Sequence, residues 1–200
     1  MVCLNLSTSA NGREDVIEWV GYSGIWGDWG GKYSCPEGSF AKGYTMKVEG
    51  DRGTNRDDTA VNGIKLYCAD KNGNQTGKVT SSVSKWGSWR EGVFCSKKGS
   101  FLISSAQKLE KSQGSKRDDT ATNSVRFKCS DGEAIQATGG TPWGSWGGYH
   151  ACPDKKILGT VYRTVICGIQ TRIESDQGRG DDDTALNGAK YACCAYEIKQ

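Results

Sequence analysis

Apolar and polar residues alternate with a period of two in several short stretches, and no segment keeps a helical period over three turns. Tyr44 to Glu49 alternates in this way, as do Ile64-Lys65-Leu66-Tyr67-Cys68 and Val125-Arg126-Phe127-Lys128-Cys129. Phe101 to Leu109 and Gly168 to Ile173 also fit strands, and glycine clusters punctuate the whole series. The pattern predicts an all-β chain of short antiparallel strands. No apolar run is long enough for a membrane-spanning helix.

The pattern also repeats. Trp26-Gly27-Asp28-Trp29 recurs as Trp86-Gly87-Ser88-Trp89 and as Trp143-Gly144-Ser145-Trp146. Nine residues after the first tryptophan of each copy stands a cysteine: Cys35, Cys95 and Cys152. Farther along come Arg56-Asp57-Asp58-Thr59-Ala60-Val61-Asn62, Arg117-Asp118-Asp119-Thr120-Ala121-Thr122-Asn123 and Asp181-Asp182-Asp183-Thr184-Ala185-Leu186-Asn187. Six residues after each asparagine is a second cysteine, Cys68, Cys129 or Cys193, and eight residues before the first aligned aspartate is Glu49, Glu110 or Glu174. The units run over about 26–80, 86–138 and 143–195. A tail is expected over 1–22 and a single domain over 23–200. Each unit offers three or four short strands, and so small a sheet cannot bury both faces alone. Three such sheets are therefore expected to pack around one axis as a triangular prism.

The repeat suggests how the cysteines pair. Cys35 with Cys68 and Cys95 with Cys129 would each close one unit, Cys152 would take Cys193, and Cys167 would take Cys194. Neighbouring strand residues face opposite ways, so Cys193 and Cys194 can reach different partners. Spacing alone leaves about 105 pairings open for eight cysteines. Cys3 is left over, as a free thiol or an intermolecular link. Nine cysteines in 200 residues without a CxxC pair suit an oxidising compartment. With His150 the single histidine, the spacing supports no zinc site, and neither metal nor cofactor is expected. Met1 to Ala10 lacks the basic start and apolar stretch of a signal peptide, so a secretion signal has on this reading been removed or precedes the given sequence. Asn5 and Asn74 stand in glycosylation sequons.

Six of the seven tryptophans fall in the WGxW pairs. The first of each pair is expected to fill the prism interior, with glycine permitting close backbone approach. The second, Trp29, Trp89 and Trp146, is divided between core packing and a stacking platform for sugar. Asp57, Asp58, Asn62, Asp118, Asp119, Asn123, Asp182, Asp183 and Asn187 read first as turn chemistry, since their side chains accept from nearby backbone N–H groups. The alternative is a carboxylate cluster at one end, able to hold calcium or serve glycoside chemistry.

Composition changes this picture little. The net charge of +3 arises from 26 basic and 23 acidic residues, well mixed along the chain, which gives no case for nucleic acid. Twenty-eight glycines against 3 prolines fit many tight turns, and the mean hydropathy is −0.61. Arg179-Gly180-Asp181 spells an integrin-type tripeptide in an expected loop. The segment Pro153 to Val165 is an insertion in the third unit, and its Lys155, Lys156, Tyr162 and Arg163 form a candidate contact surface on a surface loop.

Three WGxW units, each followed by an Asp-Asp-Thr-Ala-x-Asn element and a cysteine, resemble the vitelline membrane outer layer protein I family. So do Leu109-Glu110-Lys111-Ser112-Gln113-Gly114, Cys167-Gly168-Ile169-Gln170-Thr171-Arg172-Ile173-Glu174, Asp183-Thr184-Ala185-Leu186-Asn187-Gly188 and the closing Cys193-Cys194. The resemblance covers Trp26 to Cys194. It implies a disulfide-bonded β-prism of the first type, three antiparallel sheets with pseudo-threefold symmetry, in a secreted protein of egg coats or mucosal fluids. It further implies weak lysozyme-like transfer on N-acetylglucosamine oligomers, for which Glu49, Glu110 and Glu174 are the positions to examine. Three roles follow in order: a structural or barrier protein associating with extracellular glycoproteins, a glycan-binding or defence protein, and a transferase. The partner glycan and the oligomeric state are not legible in the sequence.

Overall fold

The computed structural model describes residues 15–49, 61–110, 122–174 and 186–198. The strands in chain order are Val16–Tyr22 (β1), Asp28–Trp29 (β2), Tyr33–Ser34 (β3), Ser39–Val48 (β4), Val61–Asp70 (β5), Gln75–Thr80 (β6), Ser88–Trp89 (β7) and Val93–Phe94 (β8). They continue with Leu102–Leu109 (β9), Thr122–Cys129 (β10), Ala134–Gln136 (β11), Ser145–Trp146 (β12), His150–Ala151 (β13), Lys155–Ile157 (β14), Thr160–Ile173 (β15) and Leu186–Ile198 (β16). Every described element is β.

Three antiparallel sheets form a β-prism. The first holds β4 to β8, the second β9 to β13, and the third β1, β2, β3, β14, β15 and β16. Alternation decides which side chains enter. Ile64, Leu66 and Cys68 of β5, Val125, Phe127 and Cys129 of β10, and Ala189, Tyr191 and Cys193 of β16 are fully buried, whereas Lys65, Arg126 and Lys190 between them point outward. One aromatic from each sheet meets at the axis. The Phe127 ring lies 4.5 Å from Tyr44 and 5.1 Å from Tyr191. The Tyr44 hydroxyl donates to the Val125 carbonyl and accepts from the Ala137 N–H at 2.8 Å, tying the first sheet to the second.

Sheets and sequence units do not coincide. The short strand holding each second tryptophan joins the central strand of the preceding unit: Trp89 pairs with Lys47, Trp146 with Lys108, and Trp29, closing the ring, with Arg172. Three disulfides reinforce the same junctions. Cys35 follows β3 of the third sheet and joins Cys68 in the first; Cys95 follows β8 of the first and joins Cys129 in the second; Cys152 follows β13 of the second and joins Cys193 in the third. Cys167–Cys194 bridges β15 and β16 within one sheet. These are the pairs the repeat suggests. Their loops of 27 to 41 residues imply about 3.5–4 kcal/mol each by chain entropy. That equals roughly one or two fully buried Leu or Phe side chains, at about 1.5–3 kcal/mol each.

Two expectations change. Val16–Tyr22, expected in a tail over 1–22, forms the edge strand β1 against β16. It is the third sheet's counterpart of β6 and β11, which lie in the same way on β5 and β10, but units counted from each WGxW pair leave it ahead of the first one. The insertion from Pro153 to Val165 is a β-hairpin rather than a loop, β14 folding back on an extended β15 through Leu158 and Gly159. Leu158 has φ 47° and is fully exposed at the tip.

The two axial tyrosines differ in one respect that can be tested. The buried Tyr191 hydroxyl has no hydrogen-bond partner among the described residues. Tyr44→Phe should therefore cost about 1–3 kcal/mol by stranding two backbone groups, while Tyr191→Phe should be neutral or stabilising. Burial pushes both phenols above the ordinary value of 10.0. Above about pH 10 the unfolded chain releases protons that the folded chain keeps, so stability should fall with rising pH there and be unaffected by these groups below it. Denaturant titrations of both variants, and of the wild type across that pH range, check this.

Candidate functional site

The central strands β4, β9 and β15 run in one direction along the prism. Phe40, Phe101 and Val165, at equivalent places in the three units, meet with Ala69, Ala192 and Tyr196 in one cluster. Val48, Leu109 and Ile173 therefore lie toward the opposite end, each followed by a glutamate. Glu49 is buried, Glu110 and Glu174 are half-buried, and each has an interaction partner. They terminate strands of three different sheets.

Each of these ends is covered by a WGxW glycine. Gly27, Gly87 and Gly144 have φ of 80°, 78° and 81°, and a Cβ on them would lie 2.4 Å from the Ile173 carbonyl oxygen, 2.5 Å from the Val48 carbonyl carbon and 2.4 Å from the Leu109 carbonyl oxygen. Only glycine fits so close to a neighbouring backbone in the left-handed region. The same turn carries the first tryptophan past the sheet end into solvent: Trp26, Trp86 and Trp143 are 51%, 37% and 66% exposed. The expectation that they fill the interior is thus incorrect. That space is taken by strand side chains such as Val48, Val61, Ile64 and Leu186.

The loops that carry the exposed tryptophans are anchored through their main chain. Lys47 Nζ donates to the carbonyls of Ser84 (2.7 Å) and Lys85 (3.0 Å), just before Trp86. Lys108 Nζ donates to those of Thr141 and Pro142, before Trp143. Arg172 donates from Nε to Gly27 (2.8 Å) and from Nη1 to Gly24 (3.1 Å), on either side of Trp26. At the same junctions the main-chain carbonyls of Asn62 and Asn123 accept from Ser84 and Thr141 N–H groups at 2.8 and 3.0 Å. Asn187 is buried, and its carbonyl lies against Gly24. Asp57, Asp58, Asp118, Asp119, Asp182, Asp183, Arg179-Gly180-Asp181, Asn5 and Cys3 lie outside the described residues.

The second tryptophans lie on the outer sheet faces, each half-buried under a cation. Lys65 stands 3.8 Å from the Trp89 ring centroid, Arg126 4.2 Å from Trp146 and Lys190 4.6 Å from Trp29. One face of each candidate sugar platform is thereby occupied. Neither the loop-anchoring cations nor the stacking ones were singled out by sequence reasoning. A signal existed: Lys47, Lys108 and Arg172 each stand two residues before the aligned glutamate, and Lys65, Arg126 and Lys190 three before the aligned cysteine.

Other sites resolve into local structure. Cys129, Asp131 and Glu133 cluster, but Cys129 is in a disulfide, Asp131 accepts from the Glu133 N–H, and Glu133 accepts from Ser96 N–H and hydroxyl at 2.8 Å. Asn74 is exposed in the β5–β6 turn, where its amide donates to Asp70 at 3.0 Å. That amide, with backbone N–H groups, holds the Asp70 carboxyl below its usual range. His150 is exposed. At the Tyr196 end, a pocket of about 420 Å³ opens between the second and third sheets, with Ile103, Ser130, Asp154 and Tyr196 in its lining. Its outer wall includes the inserted hairpin, where Arg163 pairs with Glu197 at 3.3 Å; Lys155 lies 3.9 Å from Glu18.

A family model described as vitelline membrane outer layer protein I matches residues 16–196, and so takes in β1. A human protein named vitelline membrane outer layer protein 1 homolog is 43% identical over 187 residues, covering 92% of this chain and 85% of its own. Its mouse namesake is 40% identical over 174 residues, covering 86% and 80%. Among solved structures, a mannose-binding lectin from Champedak superposes with TM-score 0.54 at 14% identity, over 90% of this chain and 98% of its own. A mannose-specific jacalin-related lectin from Morus nigra, in complex with mannose, gives 0.54 at 12% over 94% and 99%. At such identities the likeness is one of fold.

The close approach at the glycines sets a measurable cost. Gly144→Ala should destabilise by more than about 2 kcal/mol, from strain and contact with Leu109 together. Gly132→Ala, at φ 94° but with open space around the site, should cost only about 1 kcal/mol. Equilibrium unfolding of both variants tests the difference.

Proposed function

Because the chain belongs to the vitelline membrane outer layer protein I family, we propose that it is a secreted component of an egg coat or mucosal barrier that associates with glycoproteins through their glycans. Four disulfides, most of their sulfurs fully buried, suit an oxidising, extracellular setting. The observation that carries the glycan reading is the exposure of Trp26, Trp86 and Trp143 at one end of the prism. A large apolar ring left in water and clamped at its base is a pre-organised platform for the apolar face of a hexose. Half-buried Glu174 and Glu110, beside Trp26 and Trp143, can accept sugar hydroxyls. Three weak platforms on one rigid body can gain avidity on a glycan-dense layer. The lectins that share the fold are named for mannose binding, which makes sugar recognition compatible with a prism. Trp26 and Trp143, more than half exposed, carry this role better than the half-buried Trp29, Trp89 and Trp146, while Trp86 has Lys85 Nζ 4.6 Å from its ring centroid.

A glycan array that includes N-acetylglucosamine oligomers tests the reading. The wild type should bind, and Trp26→Ala/Trp86→Ala/Trp143→Ala should lose at least about tenfold, the scale of losing one or more stacked rings. An unbound wild type, or a triple variant that binds equally well, would remove the proposal. Mass spectrometry of the same oligomers covers the transfer chemistry: new chain lengths abolished by Glu110→Gln or Glu174→Gln would make the end a catalytic one.

A further inference from the structure

The first sheet sets two ammonium groups on its outer face, Lys65 over Trp89 and Lys78 over Tyr67, whereas the second sheet sets a guanidinium and an ammonium over one shared ring. Arg126 is equivalent to Lys65 and Lys190, but two residues on stands Lys128, where the other sheets have Tyr67 and Ala192. Directly paired strand residues share a face. The residues opposite Arg126 and Lys128 are Ala106, Ser104, Gln136 and Ala134, none of them acidic. The guanidinium carbon of Arg126 lies 4.2 Å from the Trp146 ring centroid and 5.1 Å from that of Tyr149, and Lys128 Nζ lies 4.4 Å from the same Tyr149 ring.

Two cations thus share one aromatic ring with no carboxylate at the paired outward positions. The buried Nε of Arg126 has no acceptor among the described residues. Stacking uses the flat face of a guanidinium and leaves the Nη donors, rather than the buried Nε, for an anion. Alternate residues on a strand are about 7 Å apart, so Arg126 and Lys128 present two positive groups in a row. A single terminal carboxylate would answer one of them, whereas a chain bearing anions on successive sugars would answer both. A sulfate ester is ionised at all physiological pH and offers several acceptor oxygens.

We propose that this face, through Arg126 and Lys128 flanked by Trp146 and Tyr149, binds a sulfated glycan chain. The site lies on the outer face of the second sheet rather than at the prism end that displays Trp143, and goes beyond the function proposed above.

Fluorescence polarisation with a labelled heparin hexasaccharide tests it on the full, oxidised chain. The wild type should bind with an affinity that falls as salt rises, as ion-pair contacts require. Arg126→Gln/Lys128→Gln should weaken binding at least tenfold, and Arg126→Lys should fall between the two. Lys65→Gln/Lys78→Gln removes the same charge from the outer face of the first sheet and should change it less than threefold. The desulfated hexasaccharide should not bind, and sialyllactose should bind far more weakly. If the double variant does not keep the wild-type thermal midpoint, Lys128→Gln alone gives the same reading at smaller amplitude. Equal loss in both double variants, equal binding of desulfated sugar or sialyllactose, or no wild-type binding would overturn the proposal. The tryptophan triple variant should bind the heparin fragment as the wild type does, so failure of either site leaves the other separately decided.

Discussion

Each sheet of this prism is completed by strands from the next repeat, and that exchange is the constraint on which the rest of the structure depends. A repeat by itself holds a small sheet with two open edges and an uncovered apolar face. Passing the WGxW strand to the preceding unit covers one edge, and passing Trp29 back to Arg172 closes the ring. No unit can leave without opening two sheets. The three crossing disulfides stand at these same junctions.

The exchange also explains the exposed tryptophans. A glycine that must lie against the neighbouring backbone forces a left-handed turn, and the residue before it is carried beyond the sheet. A cation two residues before the aligned glutamate then satisfies the carbonyls of the same loop. Assembly and display are two consequences of one joint, written three times. The second cation of each unit has another use, lying over the indole on the outer face.

Much of this was legible in the sequence, and the misses share a cause. Strict alternation at Ile64–Cys68 and Val125–Cys129 identified inward and outward faces, and the repeat suggested the disulfide pairs. Repetition does not say which copy a strand pairs with, so the exchange and the position of Trp26, Trp86 and Trp143 were hidden. The first tryptophans looked like core because they are large and repeated, yet Tyr44, Phe127 and Tyr191 already fill the axis. Val16–Tyr22 was left in the tail because it stands ahead of the first WGxW pair, although it is the third sheet's counterpart of β6 and β11 and so completes the third unit from the other end of the chain. Charge looked evenly mixed along the chain, and only the pleat sorts it. Two successive outward positions of β10, Arg126 and Lys128, are basic, while more than half of the 23 acidic residues fall between β4 and β5, β9 and β10, and β15 and β16.

Symmetry is also the most direct handle on function. If the three clamped tryptophans are equivalent sugar platforms, one chain has three places for a short oligomer. Native mass spectrometry of the oxidised protein with increasing N-acetylglucosamine tetramer should then show one, two and three ligands per chain, with no fourth. Saturation at a single ligand, or none, would contradict a threefold glycan-binding end.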